Sequence, residues 1–273
     1  MTSTFVLSIT TFIYVFSFIL YISGFIFRKE MISKTGYFFL IAGFFSNTAG
    51  FILRWIDSYN LGIGHIPLSN EYESLIFFSM AGALLFSVMG RKFSHPVIGA
   101  IVTLIISLAM AYAGLSPRVE SAISPLMPAL KSNWLTVHVF TCFLGYSGFA
   151  ISFAASLLIL FSGISFFSRF LPEEEILENL NYRMILFGFM FLSLGIITGA
   201  VWANSAWGRY WSWDPKETWS LITWIMYAII LHARYMGTFS RKTIAWLSII
   251  GFISVIFTYF GVNLILSGLH SYA

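Results

Sequence analysis

Residues 202–224 read WANSAWGRYWSWDPKETWSLITW and hold six of the chain's nine tryptophans: Trp202, Trp207, Trp211, Trp213, Trp219 and Trp224. Their centre carries Arg209, Asp214, Lys216 and Glu217, and long apolar runs flank both sides. The stretch reads as a polar, aromatic loop between two membrane helices. Part of it has an ordinary structural explanation. Asp214, Pro215 and Glu217 fit the N-cap, N1 and N3 positions of a new helix, with the two carboxylates arranged as a capping box. Capping accounts for DPKE and leaves the tryptophans unexplained. An aromatic belt places scattered rings at helix ends, not several through one connection. A flat, apolar, polycyclic ligand is the simplest thing such a surface grips.

Composition fixes the class around this loop. Of 273 residues, 58% are hydrophobic and 10% charged, and mean hydropathy is +0.85, whereas soluble domains run near 25% charged. Apolar runs of about 18 or more residues mark transmembrane helices. Eight are expected, at 5–27, 37–54, 74–90, 97–113, 134–161, 184–202, 218–235 and 243–263. The fold class is therefore all-α, a polytopic helix bundle forming one integral membrane domain, 1–273, with 202–224 as its distinctive loop and helix ends. Only the fifth span looks long enough for strong tilt or extension beyond the bilayer. The first reads as a span, because its apolar run is too long for a signal-peptide core.

Loop charge gives an orientation. One set of loops holds ten basic residues: Arg28, Lys29, Lys34, Arg91, Lys92, Arg169, Arg183, Arg234, Arg241 and Lys242. The other holds five, namely Arg54, Arg118, Lys131, Arg209 and Lys216. The richer set belongs inside, so both termini and the tryptophan loop are expected to face outward. The basic balance thus reports topology, and no clustered basic element suggests nucleic-acid binding.

The remaining polar residues are read in chain order. His65 lies in the outward loop before the third span with no metal-ligand spacing around it, and reads as a solvated or capping histidine. Asn70, Glu71 and Glu73 fit a helix cap. His95 precedes a proline in a short turn and reads as a turn residue. The segment 114–133, with Pro117, Pro125 and Pro128, reads as a stiff, extended lid. His138 sits about one turn into the fifth span, where an imidazole is costly unless paired, solvated or ligating. Cys142, the single cysteine, lies one turn deeper and reads as an inert thiol. A short amphipathic helix is expected after Pro172, within the loop 169–183. His232 falls near the inner end of the seventh span, about 25 Å from Pro215 along the helix. His270 falls just past the eighth, outward again. His138 and His270 therefore meet the outer surface where the aromatic loop emerges. Two imidazoles and a flat apolar platform describe a haem site. Zinc would want three or four close ligands, and no nucleophile elbow or ordered triad is visible.

The motif WGRYWSWDPKETWSLITW closely resembles the tryptophan-rich WWD signature of haem-handling membrane proteins. Its DPKETWSLITW continuation is similar to the CcsA/ResC branch of System II cytochrome c biogenesis. The resemblance extends to GHIPLSNEYES, to NWLTVHV around His138 and to the C-terminal GVNLILSGLHSYA. It implies haem delivery and covalent attachment to apocytochrome c bearing a Cys-x-x-Cys-His motif, as a subunit of a cytochrome c synthase. The expected partners are a CcsB/ResB-like membrane protein and proteins of a thiol-reducing pathway; the cofactor is haem b, carried and attached. It implies that His138 and His270 ligate the iron beside a platform of Trp207, Gly208, Trp211, Trp213, Asp214 and Pro215. It further implies that His232 serves an inner haem site whose second ligand lies on the partner. A bacterial inner membrane or a thylakoid membrane fits equally. Two other classes share some of these features. A haem transporter without catalysis would use the same residues, and an electron-transfer cytochrome b would need paired histidines within the hydrocarbon core.

Overall fold

Backbone N–H and C=O groups in a bilayer must be satisfied within the chain, and no strand occurs among the described residues. A computed structural model describes residues 3–89, 95–162, 170–266 and 268. His270 lies outside the described residues, as do Arg91, Lys92 and Arg169 of the charge pattern. The long helices are α1 (Ser3–Ile26), α2 (Glu30–Asn60), α3 (Glu71–Val88), α4 (Pro96–Leu115), α5 (Asn133–Ser162), α6 (Glu174–Trp207), α7 (Pro215–Met236) and α8 (Arg241–Ile256). A π-helical turn, Phe257–Gly261, and a last turn, Val262–Ile265, prolong α8. Seven of these helices are long and apolar enough to cross a membrane. The exception, α7, has 22 residues but carries Lys216, Glu217, His232 and Arg234 toward its ends. The expected all-helical polytopic bundle is what the chain forms, and it is an integral membrane protein.

Element lengths depart from expectation at two places. The separate helix expected after Pro172 does not exist, because Glu174 begins a single helix of 34 residues that runs unbroken to Trp207. No proline or glycine pair interrupts the sequence there, so the polar turns simply continue the apolar ones. At 1.5 Å per residue α6 is about 51 Å long, well beyond a hydrocarbon core of about 30 Å. Likewise α2 has 31 residues, so extension is not confined to the fifth span.

The chain forms two units, Met1–Leu130 and Lys131–Ala273. In the first, α1 packs on α2 and α4, and α3 packs on α2 and α4. Buried polar side chains tie these faces: Ser17 Oγ donates to the Gly36 carbonyl at 2.7 Å, and Asn47 Nδ2 donates to the Ile76 carbonyl at 3.3 Å. The strongest tie is ionic. Arg54, only 1% exposed, places Nε 2.8 Å from Glu73 Oε1. Its Nη1 donates to the Ser121 carbonyl at 2.8 Å, and its guanidinium lies over the Tyr72 ring. Arg54 was expected in an outward loop and Glu73 at a helix cap. Instead the pair is buried; Asn70 is the N-cap, its side chain accepting from the Glu73 N–H, and Glu73 Oε2 accepts from the Ser69 N–H at 3.0 Å. The segment after α4 is irregular apart from one 3-10 turn, Pro128–Leu130, as its prolines predict.

His65 is corrected as well. It is buried rather than solvated, with Nδ1 3.0 Å from the Ile66 carbonyl. His95 does more than turn the chain: it is the N-cap of α4, with Nδ1 accepting from the Val97 N–H.

In the second unit, α5 packs on α6 and α8, and α7 packs on α6 and α8. Asn181 of α6 is fully buried and donates to Ser152 Oγ and Ser156 Oγ of α5 at 3.0 and 2.7 Å. Thr223 of α7 donates to Ser254 Oγ of α8 at 3.0 Å. Such polar ties are the usual glue between apolar helices. Because neighbouring helices alternate in direction, one end of this unit gathers the start of α5, the end of α6, the start of α7 and the end of α8.

Candidate functional site

That shared end of the second unit holds His138, Trp207, Gly208, Trp211, Trp213, Asp214 and Pro215 of the expected residues, while His270 lies outside the described residues. His138 is half-buried, five residues into α5. Its Nδ1 lies 2.7 Å from the Gly195 carbonyl of α6. A carbonyl only accepts, so Nδ1 carries the proton and the ring's lone pair is on Nε2. Fixing the tautomer through the other nitrogen is how proteins orient an imidazole that ligates iron. Close approach of α6 makes this possible. A Cβ on Gly199 would stand 2.6 Å from His138 Nδ1, and one on Gly195 would stand 2.5 Å from Cys142 Sγ. Only glycine at these two positions lets the helices come near enough. Cys142 is buried, with Sγ 3.7 Å from His138 Nδ1.

An aromatic run leads from His138 to the loop. The imidazole stacks on Trp202 with centroids 6.1 Å apart and planes at 16°, and Trp202 meets Trp207 edge-on at 4.8 Å. Trp202 is buried inside α6. Trp207 is the last residue of that helix, and Gly208 ends it in the left-handed conformation at φ 74°. The loop proper is thus short, residues 208–214. Not all six tryptophans belong to it. Trp219 packs on Phe257 at 4.2 Å, and Trp224 stacks near Phe189 while its Nε1 donates to Ser193 Oγ at 2.8 Å. Both hold α7 to its neighbours, and Trp211 and Trp213 are the tryptophans of the loop itself, with Trp207 at its edge.

Trp211 and Trp213 meet edge-on at 5.7 Å. Trp213 is 69% exposed and has φ +59°, a left-handed backbone that costs a bulky L-residue about 1–2 kcal/mol. The start of α7 supplies the compensation. Glu217 Oε2 accepts from the Ser212 N–H at 2.7 Å and from the Asp214 N–H at 3.2 Å. Thr218 Oγ1 donates to the Trp213 carbonyl at 3.3 Å. Trp213 is therefore held from both sides while its ring stands out.

Asp214 is buried and caps α7, its Oδ1 accepting from the Lys216 N–H at 2.9 Å, with Pro215 as the first helical residue. The capping box read from the sequence is present. The chain returns to this point after α8: a Cβ on Gly268 would lie 2.3 Å from Asp214 Oδ2 and 3.0 Å from Pro215 Cδ. Gly268 therefore packs against the N-terminus of α7.

His232 is not part of this cluster. It lies near the far end of α7, exposed, in line with exposed Ile222, Ile225 and Ile229 along one face of the helix. No group of three or more His, Cys, Asp or Glu suited to holding a metal ion occurs among the described residues. Sequence reading missed the Gly195 and Gly199 contacts and the grip of Glu217 on Trp213. A spacing of four between two glycines in an apolar run, G-x-x-x-G at 195–199, was the available signal for the first.

A family model described as cytochrome c assembly protein matches residues 68–270. A cytochrome c biogenesis protein CcsA of Guillardia theta is 41% identical over 282 residues, covering 94% of this chain and 91% of that protein. One of Prochlorococcus marinus is 37% identical over 258 residues, covering 82% and 80%. The CcsA of Chlamydomonas reinhardtii is 41% identical over 230 residues, covering 81% and 63%. Among solved structures, cytochrome c haem lyase CcmF has the same fold, with a TM-score of 0.76 at 16% identity over 95% of this chain. The chain spans 47% of that protein's length. With a family match over most of its length and CcsA proteins as relatives across nearly all of it, the chain belongs to the cytochrome c assembly protein family.

Proposed function

We propose that this protein delivers haem b across the membrane and attaches it to apocytochrome c, as the haem-holding subunit of a cytochrome c synthase. The observation that carries this reading is the set of His138: Nδ1 anchored on the Gly195 carbonyl, ring stacked on Trp202, Nε2 left with the lone pair. Haem here is cargo, and the protein's share is to orient it. His138, through Nε2, and His270 would hold the iron; Gly268, two positions before His270 in the sequence, packs on Asp214 beside the loop. Trp207, Trp211 and Trp213 cover the flat apolar face, and Gly208, Asp214 and Pro215 set the path of the loop. Bis-imidazole ligation keeps the iron coordinated until the acceptor arrives. Each substrate thiol then adds across one vinyl group, its sulfur bonding one carbon and its proton ending on the other. The acceptor's own histidine replaces one protein ligand, and product leaves. Positioning is the catalytic contribution, and the bond-forming chemistry belongs to the haem.

The reading extends to topology and partners. The excess of basic residues in alternate loops supports an orientation with both termini and the tryptophan loop on the periplasmic or lumenal side of a bacterial inner membrane or a thylakoid membrane. His232 then lies near the inner face. An exposed imidazole in an apolar, lipid-facing row is costly alone, which supports a second ligand from a CcsB/ResB-like partner. Proteins of a thiol-reducing pathway keep the acceptor cysteines available. The test is co-expression of the chain, a CcsB-like partner and a Cys-x-x-Cys-His acceptor in cells lacking their own pathway. Covalent haem on the acceptor, detected after denaturing electrophoresis, supports a synthase. Haem bound to the chain with none transferred would make it a carrier.

A further inference from the structure

Glu217 has a role beyond the start of its helix. We propose that it is the positioning residue of the haem platform: by gripping the chain on both sides of Trp213, it holds that ring in the outward pose used against haem. The inference rests on the proposed haem site.

The geometry is specific. A capping-box glutamate needs only the N–H of the N-cap residue, here Asp214 at 3.2 Å. Glu217 reaches further and accepts its shorter bond, 2.7 Å, from the Ser212 N–H. The Ser212 hydroxyl lies 3.3 and 3.4 Å from the two carboxylate oxygens. One carboxylate thus bridges residues 212 and 214, and the residue between them is forced to φ +59°. Without that bridge a tryptophan relaxes to negative φ, because left-handed backbone is unfavourable for any bulky L-residue. Relaxation swings the ring away, since the direction of its Cα–Cβ bond follows the backbone. Asp214 cannot substitute: its carboxylate accepts from the Lys216 N–H and faces into the protein against Gly268. Beyond its edge-on contact with Trp211, Trp213 leaves most of its surface uncovered, at 69% exposed. Its use is a ligand from outside the chain.

The test is a double-mutant cycle on the full chain, purified with its partner, with haem content and haem affinity read from the Soret band. E217A and W213G should each lower haem affinity about tenfold, the scale of losing one charge-assisted hydrogen bond. Combined, E217A/W213G should be no worse than W213G alone, because the carboxylate acts only through the ring. E217Q, which still accepts from backbone, should keep affinity within about threefold. Proteolytic resistance of each variant separates loss of haem from loss of fold. Additive losses in the double variant would make Glu217 a plain helix cap and overturn the proposal. So would full haem affinity in E217A with W213G impaired, which leaves the haem site standing. Full affinity in W213G together with H138A would remove the haem site itself, and the proposal with it.

Discussion

Gly199 and Gly208 differ in surroundings and in backbone conformation, and the contrast tests the setting of His138. An added methyl at Gly199 would press on the imidazole at 2.6 Å, whereas at Gly208 it meets nothing within 4 Å and pays only for φ 74°. Gly199→Ala should therefore cut haem retention with His138 still in place, through overpacking of about 1–3 kcal/mol. Gly208→Ala should lower the melting temperature, by about 1–2 kcal/mol of backbone strain, and leave haem on the chain. Equal haem loss in both would mean that His138 is not held by this contact. Arg54 and Glu73 offer a second test, of stability alone. Glu73→Ala leaves a guanidinium buried without its carboxylate and should cost about 3–5 kcal/mol, with a double change to apolar residues milder than the single one. Thermal unfolding in detergent reads both. These residues also show why sequence reading stops short. Arg54 ends an apolar run and looks like a loop cation; only tertiary packing brings Glu73, 19 positions on, to 2.8 Å.

Two helix starts carry predictions at the scale of the element. Asp214→Asn keeps a good N-cap and should keep haem attachment near wild type, while Asp214→Ala should loosen the start of α7 by about 1 kcal/mol. Hydrogen exchange along residues 212–219 measures the loosening. Attachment lost equally in both variants would assign the carboxylate a direct part in haem contact. At α4 the cap is His95, whose pKa burial holds below 6.5. The neutral ring accepts from the Val97 N–H, so its contribution is fully present above the unfolded value. Stability should fall as pH drops below 6.5, where the unfolded chain takes up the proton first, and level off below the folded pKa. His95→Asn, a cap that does not titrate, should flatten that slope in melting curves from pH 7.5 to 5; an unchanged slope would remove His95 from the account. The cap at Asp214 was legible because capping is local chemistry and DPKE names its own helix start, whereas His95 read only as a turn residue. The unbroken α6 was not, since the polar turns 174–183 carry the composition of a loop while their backbone has no reason to stop.

For the whole molecule, apolar runs and their number were legible in composition alone, and seven of the eight long helices meet the criteria for crossing a membrane. The location of the tryptophan loop was legible too. What the sequence hid was the packing partners of the tryptophans on α7, because periodicity does not say which ring meets Ser193 or Phe257. Orientation is the open global property, and single cysteines settle it. With Cys142 replaced, a cysteine at Ser212 should react with a membrane-impermeant maleimide from the periplasmic or lumenal side, and one at Thr238 should not. The reverse pattern would invert the topology. The most direct test of the central claim is haem attachment by the H138A/H270A double variant, co-expressed with a CcsB-like partner and an acceptor, with and without added imidazole. The account predicts loss of covalent cytochrome c and partial rescue by imidazole as a substitute ligand. Attachment at the wild-type level without imidazole would contradict it and place the iron ligands elsewhere.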